Sequence, residues 1–389
     1  MHPSRSGSWC NVAKTKTSQH PTPAALGYRM PGEWEPHAAT WIAWPHNRTD
    51  WPGKFAPVPW VYAEVVRNLA RVEQVNILVN DVTAEASARD VLVTAAVLPK
   101  DCVEPGTRSG NIRFWPLPTN RGWLRDTGPT FVKRDVWAKS GKGSLGAVSW
   151  RFNAWAKYSD WKRDAPVSTE IARNTKARVW QPELELAGRP SRVVLEGGSI
   201  DVNGRGTLLT TEECLLSDIQ ARNPGATRAQ LEKVFADYLG TRKVIWLGGG
   251  IAGDDTHGHV DDISRFVAPN VVVTAYEPDT SDDNHEPLRE NFLHLRRSTD
   301  QDGKPLQVVK LPMPAPVSFG GQRLPASYAN FYIANRLVLV PVFNDANDRV
   351  ALNILAEAFP GRTIAPIYCG DFVLGLGTLH CMTQQQPLI

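Results

Sequence analysis

The stretch Tyr328-Ala-Asn-Phe-Tyr-Ile-Ala334-Asn335-Arg336-Leu337-Val-Leu-Val-Pro-Val342 holds two apolar runs on either side of a polar dipeptide. Runs of this kind split by a short turn read as a β-hairpin. Residues 346–359 then show helical periodicity, and 363–367 read as a further strand. The same order of hairpin, helix and strand recurs elsewhere. Residues 199–202 and 207–211 flank Asn203-Gly204, a strong hairpin signal, and precede a helix at 227–239 with Thr227 as its cap and a strand at 243–247. Residues 266–268 and 271–275 are split by Pro269-Asn270. Nearer the start, Val61, Val65, Leu69 and Val72 recur at helical spacing before a strand at 76–79. Thr83 is the expected cap of a second helix ending near residue 98, followed by a strand at 112–115. The pattern therefore repeats four or five times, at intervals of roughly 50–70 residues. It differs from the strict strand–helix alternation of a parallel doubly wound sheet. The repeats agree in element order rather than in sequence, which predicts a pseudo-symmetric α/β assembly. No low-complexity linker interrupts the chain after residue 30, so residues 28–389 are expected to form one domain.

Composition narrows the function classes. A net charge of +3 with scattered Lys and Arg does not suggest a nucleic-acid partner. No run approaches the roughly 18 apolar residues of a membrane-spanning helix. The cysteines Cys10, Cys102, Cys214, Cys369 and Cys381 are odd in number and widely spaced, with no C-x-x-C, which argues against a disulfide framework or a structural zinc site. A reducing cytoplasm fits best, with Cys102, Cys214 and Cys369 read as ordinary core or loop thiols. The first 32 residues are basic, rich in Ser and Thr and free of acids. That composition is compatible with organelle import, but residues 1–27 lack an amphipathic face and read more simply as a disordered extension.

Four sites carry the chemistry. Cys381 follows Gly375-Leu376-Gly377 and an apolar run, and precedes a neutral polar tail. A thiolate is a nucleophile once its pKa is lowered or a base is near. Asp254-Asp-Thr-His257-Gly-His259-Val-Asp261-Asp262 packs imidazoles among carboxylates. In an extended segment His259 and Asp261 would share a face, putting an acid–base group beside a cation-binding one. The H-x-H-x-D string could also offer metal ligands, but no distant third His or Cys has ligand spacing, and no metal or cofactor is expected. Trp123-Leu-Arg125-Asp126 places an aromatic face near a carboxylate, a sensible seat for a guanidinium. Glu196-Gly-Gly leads into a strand. Taken singly, each reads as an ordinary turn, surface pair or inert thiol. Together they suggest covalent catalysis on a cationic substrate.

These strings, with Met30-Pro-Gly-Glu33-Trp-Glu-Pro-His37, Phe152-Asn-Ala-Trp155, Thr210-Thr-Glu-Glu-Cys-Leu-Leu216, Ala326-Ser-Tyr-Ala-Asn330 and His380-Cys381-Met-Thr-Gln-Gln-Gln-Pro387, resemble the agmatine deiminase branch of the guanidino-group-modifying enzymes, which also contains the bacterial peptidylarginine deiminases. The resemblance runs from about Arg29 to Pro387. It implies a five-bladed α/β propeller of ββαβ repeats around a central site. It also implies Cys381 as nucleophile, His259 as acid–base, and Asp126, Glu196 and Asp261 as the acidic set, acting on a small guanidino substrate without metal. Agmatine is the first candidate; arginine, an arginine derivative or peptidyl arginine is the alternative, and a silent guanidine-binding protein a further one. Homodimers are common in the family, although nothing in this sequence marks an interface. The chain departs from the family pattern at Arg121, where an acid is usual, at His257 and Asp262, and at Leu376, which breaks a glycine run. Arg121 and Leu376 are expected to line the substrate pocket with Trp123, and Arg121 to disfavour a dicationic substrate.

Overall fold

The computed structural model describes residues 21–107, 109–135 and 143–389, which adopt a mixed α/β fold. Residues 1–20 of the expected extension lie outside the described residues. Residues 21–27, assigned to that extension from sequence, instead carry the 3-10 turn Ala24–Leu26, and the Pro21 carbonyl accepts from the Trp180 indole at 3.1 Å.

Five sheets follow one plan: an antiparallel strand pair, a helix, and a third strand returning parallel to the second. Thr130–Arg134 and Ser144–Val148 pair antiparallel, helix Val167–Asn174 follows, and Arg178–Trp180 lies parallel to Ser144–Val148. Asp201–Val202 and Thr207–Thr211 lead through helix Arg228–Leu239 to Lys243–Leu247. Ser264–Ala268 and Val271–Tyr276 lead through His285–Arg297 to Gln307–Pro312, and Tyr332–Ala334 and Leu337–Val342 through Ala346–Ala358 to Thr363–Tyr368. The remaining sheet joins the two ends of the folded chain. Thr383–Pro387 pairs antiparallel with His37–Ala43; helix Val58–Leu69 leads to the parallel strand Gln74–Val79, and Val82–Thr94 to Ile112–Pro116. Among the described residues no helix is long and apolar enough to cross a membrane.

The helices hold through apolar faces against the sheets. Val58, Tyr62, Ala63, Val65, Val66 and Leu69 are all buried on one helix, as the 3.6-residue period requires. Several boundaries differ from the sequence reading, among them the first strand of the opening hairpin, which is only Tyr332–Ala334 rather than the whole run from 328. The second helix is capped by Asp81, whose carboxylate accepts from Ala84 N, rather than by Thr83, and it stops at Thr94. Ser199 belongs to the 3-10 turn Gly197–Ser199, so only Asp201–Val202 pairs in that hairpin.

Thr227 does cap its helix, in a reciprocal arrangement: its hydroxyl accepts from Gln230 N at 3.3 Å while the Gln230 side chain accepts from Thr227 N at 2.9 Å. Thr227→Ala is expected to cost about 1 kcal/mol in urea unfolding and to leave turnover intact. An unchanged midpoint would show that the cap contributes nothing.

Candidate active site

Strand ends and one-turn helices bring the chemistry together. The 3-10 turn Phe372–Gly375 is reversed by Leu376 at φ +65, and the one-turn helix Leu379–Met382 then presents Cys381. A Cβ on Gly377 would lie 3.2 Å from the Cys381 sulfur and 3.1 Å from Cζ3 of Trp123, so glycine lets sulfur and indole face each other. Both line a cavity of about 310 Å³ that is also bordered by Asp126, Trp155, Asp50, Arg121, Asp255 and Leu376.

The other predicted groups converge beside this cavity at Gly198. A side-chain carbon there would sit 2.6 Å from His259 Nδ1, 3.0 Å from Asp261 Oδ2 and 3.1 Å from Asp126 Oδ1. Gly198 N donates to Asp126 Oδ1 at 3.0 Å, and the Trp155 indole donates to Oδ2 at 2.9 Å. Asp261 Oδ2 is 3.8 Å from Cys381 Sγ. His259 lies with Nε2 3.5 Å from Glu196 Oε2 and Nδ1 4.0 Å from Asp126 Oδ1. Among the described residues, neither of its nitrogens has a hydrogen-bond partner, and nor does Asp261 Oδ1. The expected extended segment is absent: Val260–Asp262 is a 3-10 turn with His259 at its N-cap. His259 and Asp261 share a site because both border Gly198, not because they alternate on a strand. Nor are Arg125 and Asp126 a surface pair; both are buried, and Arg125 donates to Gln385 Oε1 at 2.7 Å and to the His380 carbonyl at 3.3 Å.

Charge in this region is unevenly matched. Burial pushes the Asp126 carboxyl up, as do the charges of Asp261 and Glu196; His259 and the Trp155 bond pull it back to about 6. Burial alone would raise Glu196, but the Arg222 guanidinium, with Nε 3.1 and 3.2 Å from its two oxygens, and His259 hold it low. Burial favours neutral His259, yet Asp126, the Cys214 sulfur and Glu196 keep it well above the usual imidazole range. The Cys381 thiol is driven well upward by burial and then by Asp261, Asp262 and Asp126. Burial and the carboxylates thus favour the protonated thiol, while the acids and the Cys214 sulfur favour the charged imidazole of His259.

Several participants were not singled out from sequence. Asn330 Nδ2 donates to Cys381 Sγ at 3.1 Å and to Asp262 Oδ1 at 2.9 Å. His380 bridges Asp261 and Glu33 at 2.7 and 2.8 Å. Glu33, Asn330 and His380 stand inside the quoted strings, but nothing in residue type or spacing marked them. Cys214, read as an ordinary thiol, lies within 4.8 Å of ligating atoms of both Glu196 and His259; Asp261, Asp262 and Cys381 form a second such trio. Either trio could ligate a small ion, although Arg222 already occupies both oxygens of Glu196.

The departures also find positions. Asp262 is pushed well above the usual carboxylate range by burial and by Asp261 and Asp254, and its Oδ1 accepts from Asn330 Nδ2 at 2.9 Å. His257 turns from the cavity, its Nε2 3.2 Å from Ser217 Oγ. Leu376 occupies a left-handed conformation that costs a non-glycine residue about 1 kcal/mol. Arg121 lines the cavity, but its guanidinium bonds Asp50 and Asp160 and lies over the Tyr158 ring at 4.4 Å. The expected repulsion of a dication is thereby offset by two carboxylates.

Comparison with known proteins places the chain in a family. The family model of the Porphyromonas-type peptidyl-arginine deiminases matches residues 29–387. A putative agmatine deiminase of Latilactobacillus sakei is 37% identical, covering 94% of this chain and 98% of that protein. The agmatine deiminase of Stutzerimonas stutzeri is also 37% identical, covering 94% and 97% respectively. Among solved structures, the agmatine deiminase of Enterococcus faecalis superposes with a TM-score of 0.82 at 32% identity, over 96% of this chain and 99% of that one. The chain belongs to the Porphyromonas-type peptidyl-arginine deiminase family.

Proposed function

We propose that the protein hydrolyses agmatine to N-carbamoylputrescine and ammonia. The observation that carries this reading is the uncompensated negative charge around Cys381: Asp126 and Asp261 border one point at Gly198, and Asp261 Oδ1 has no partner. A planar guanidinium satisfies that vacancy through charge-assisted hydrogen bonds. The relatives named as agmatine deiminases support the same substrate.

In the proposed reaction the bound cation offsets the carboxylates that hold the thiol protonated, and the sulfur loses its proton to solvent. The thiolate attacks the central guanidinium carbon. The carbon–nitrogen bond breaks as His259 gives its proton to the departing amino group, which leaves as ammonia. The S-alkylthiouronium ester that remains is attacked by water, whose proton passes to His259. The carbon–sulfur bond then breaks as the remaining hydroxyl proton passes to the sulfur, returning the thiol and releasing a neutral urea. Glu196, fixed by Arg222, keeps His259 charged and oriented. The chemistry needs no metal. At the far end, Asp50, Asp160 and Asp255 outnumber Arg121 and Lys157, which favours an ammonium over a carboxylate and hence agmatine over arginine. We further propose that residues 28–389 form one catalytic domain, a five-bladed pseudo-symmetric propeller around this site. The pairing of the last strand with the first supports it, since that contact completes the fifth unit.

Purified protein treated with EDTA should release ammonia from agmatine faster than from arginine or a peptidyl-arginine ester, and Cys381→Ala should release none while still binding. Preference for the peptidyl substrate would favour the alternative, and no ammonia from any guanidine would defeat deimination. Gly198→Ala should abolish turnover with little change in the melting temperature, because its methyl group would meet His259 and both carboxylates. Normal activity in that variant would sink the convergence argument. Asp126 sits at about 6 with the site empty, so its charge is present above that pH and lost below it. The profile of kcat/KM should therefore fall on the acid side near this value; a flat profile between about pH 5 and 7.5 would remove Asp126 from cation binding.

A further inference from the structure

We infer that His380 is a positioning residue, held between Glu33 and Asp261 so that Asp261 keeps one oxygen free for the cationic substrate. The inference rests on the deimination reading only where activity is its readout.

The geometry is closed on all sides. His380 is 2% exposed; its Nδ1 lies 2.7 Å from Asp261 Oδ2 and its Nε2 2.8 Å from Glu33 Oε2. Glu33 is itself tied down, with Arg265 Nη2 at 3.0 Å, Arg125 Nη2 at 3.5 Å and Ile333 N donating to Oε1 at 2.8 Å. Burial would raise both acids. Arg265, His380 and Arg125 nonetheless hold Glu33 well below the usual range, and the bond and charge of His380, with His259 and Arg265, hold Asp261 low.

The consequence falls on Asp261. Its Oδ2 is fixed by His380, while its Oδ1 has no partner among the described residues. Freed from His380, the carboxylate could rotate about its terminal torsion, which is soft. It would then present either oxygen to the Cys381 sulfur or to the cation. Glu33 comes from the first folded residues and His380 from the last, so the contact sets the angle of Asp261 across nearly the whole chain.

The test reads the position of Asp261 through turnover and through binding. His380→Asn retains a donor where Nδ1 stood and loses the Glu33 contact; His380→Leu loses both. With agmatine, kcat/KM should fall about 100-fold in His380→Leu and less than about 10-fold in His380→Asn, the loss expected from a misdirected reacting group. Equal losses in the two variants, or none in either, would overturn the positioning role. In a Cys381→Ala background, calorimetry should show agmatine binding weakened about 10-fold by His380→Leu and hardly changed by His380→Asn; equal binding in both would likewise overturn it. If wild-type protein fails to deiminate agmatine, the functional reading falls while the binding comparison still decides the role of His380, and should His380→Leu fail to fold, His380→Ala takes its place.

Discussion

Buried charge, and the uneven way in which it is balanced, organises this protein. Glu33, Asp126, Glu196, Asp201, Asp261 and Asp262 are all withdrawn from water near one another. Moving an ion out of water costs several kcal/mol even after relaxation, so such a set persists only where each member finds a partner. The outer members do. Glu196 has Arg222, Asp201 has Arg265, and Glu33 has Arg265, Arg125 and His380. The inner members are matched less fully: Asp126 relies on one backbone amide and one indole, Asp261 pairs with His380 through one oxygen only, and Asp261 Oδ1 and both His259 nitrogens have no hydrogen-bond partner among the described residues. The deficit of positive charge is thus confined to the point where a guanidinium would sit.

That arrangement also explains how a buried thiol can be both inert and reactive. Three carboxylates surround Cys381 and raise its pKa, which protects the sulfur while the cavity is empty. In the proposed reaction the substrate cancels the very field that suppresses ionisation. A single charge distribution then serves binding, activation and release, since a neutral urea has no claim on the carboxylates.

Two departures from the family pattern stand on the cavity wall. Arg121 replaces a usual acid, but Asp50 and Asp160 pair with it. Leu376 is different in kind: it accepts a left-handed backbone to place an apolar side chain on the cavity wall. Asp262 lies elsewhere, next to the sulfur, where burial and the neighbouring carboxylates push it upward. The first two changes therefore act on the outer cavity rather than on the field at the sulfur.

The repeated hairpin, helix and strand were legible from periodicity and turn residues alone, because those patterns record which face of each element is buried. Cys381, His259, Asp126, Glu196 and Asp261 were visible as unusual residue types in unusual company, and the resemblance assigned their roles. What the sequence lacked was distance. His259 and Asp261 were placed together for the wrong reason, an extended segment that is in fact a 3-10 turn. Glu33, His380, Asn330 and Arg222 carried no local signal, since a positioning group is defined by what lies opposite it, often hundreds of residues away. Local chemistry is written in the order of residues; the balance of charge around a buried carboxylate belongs to three dimensions, because Coulomb energy depends on separation in space and on burial, neither of which a chain position fixes.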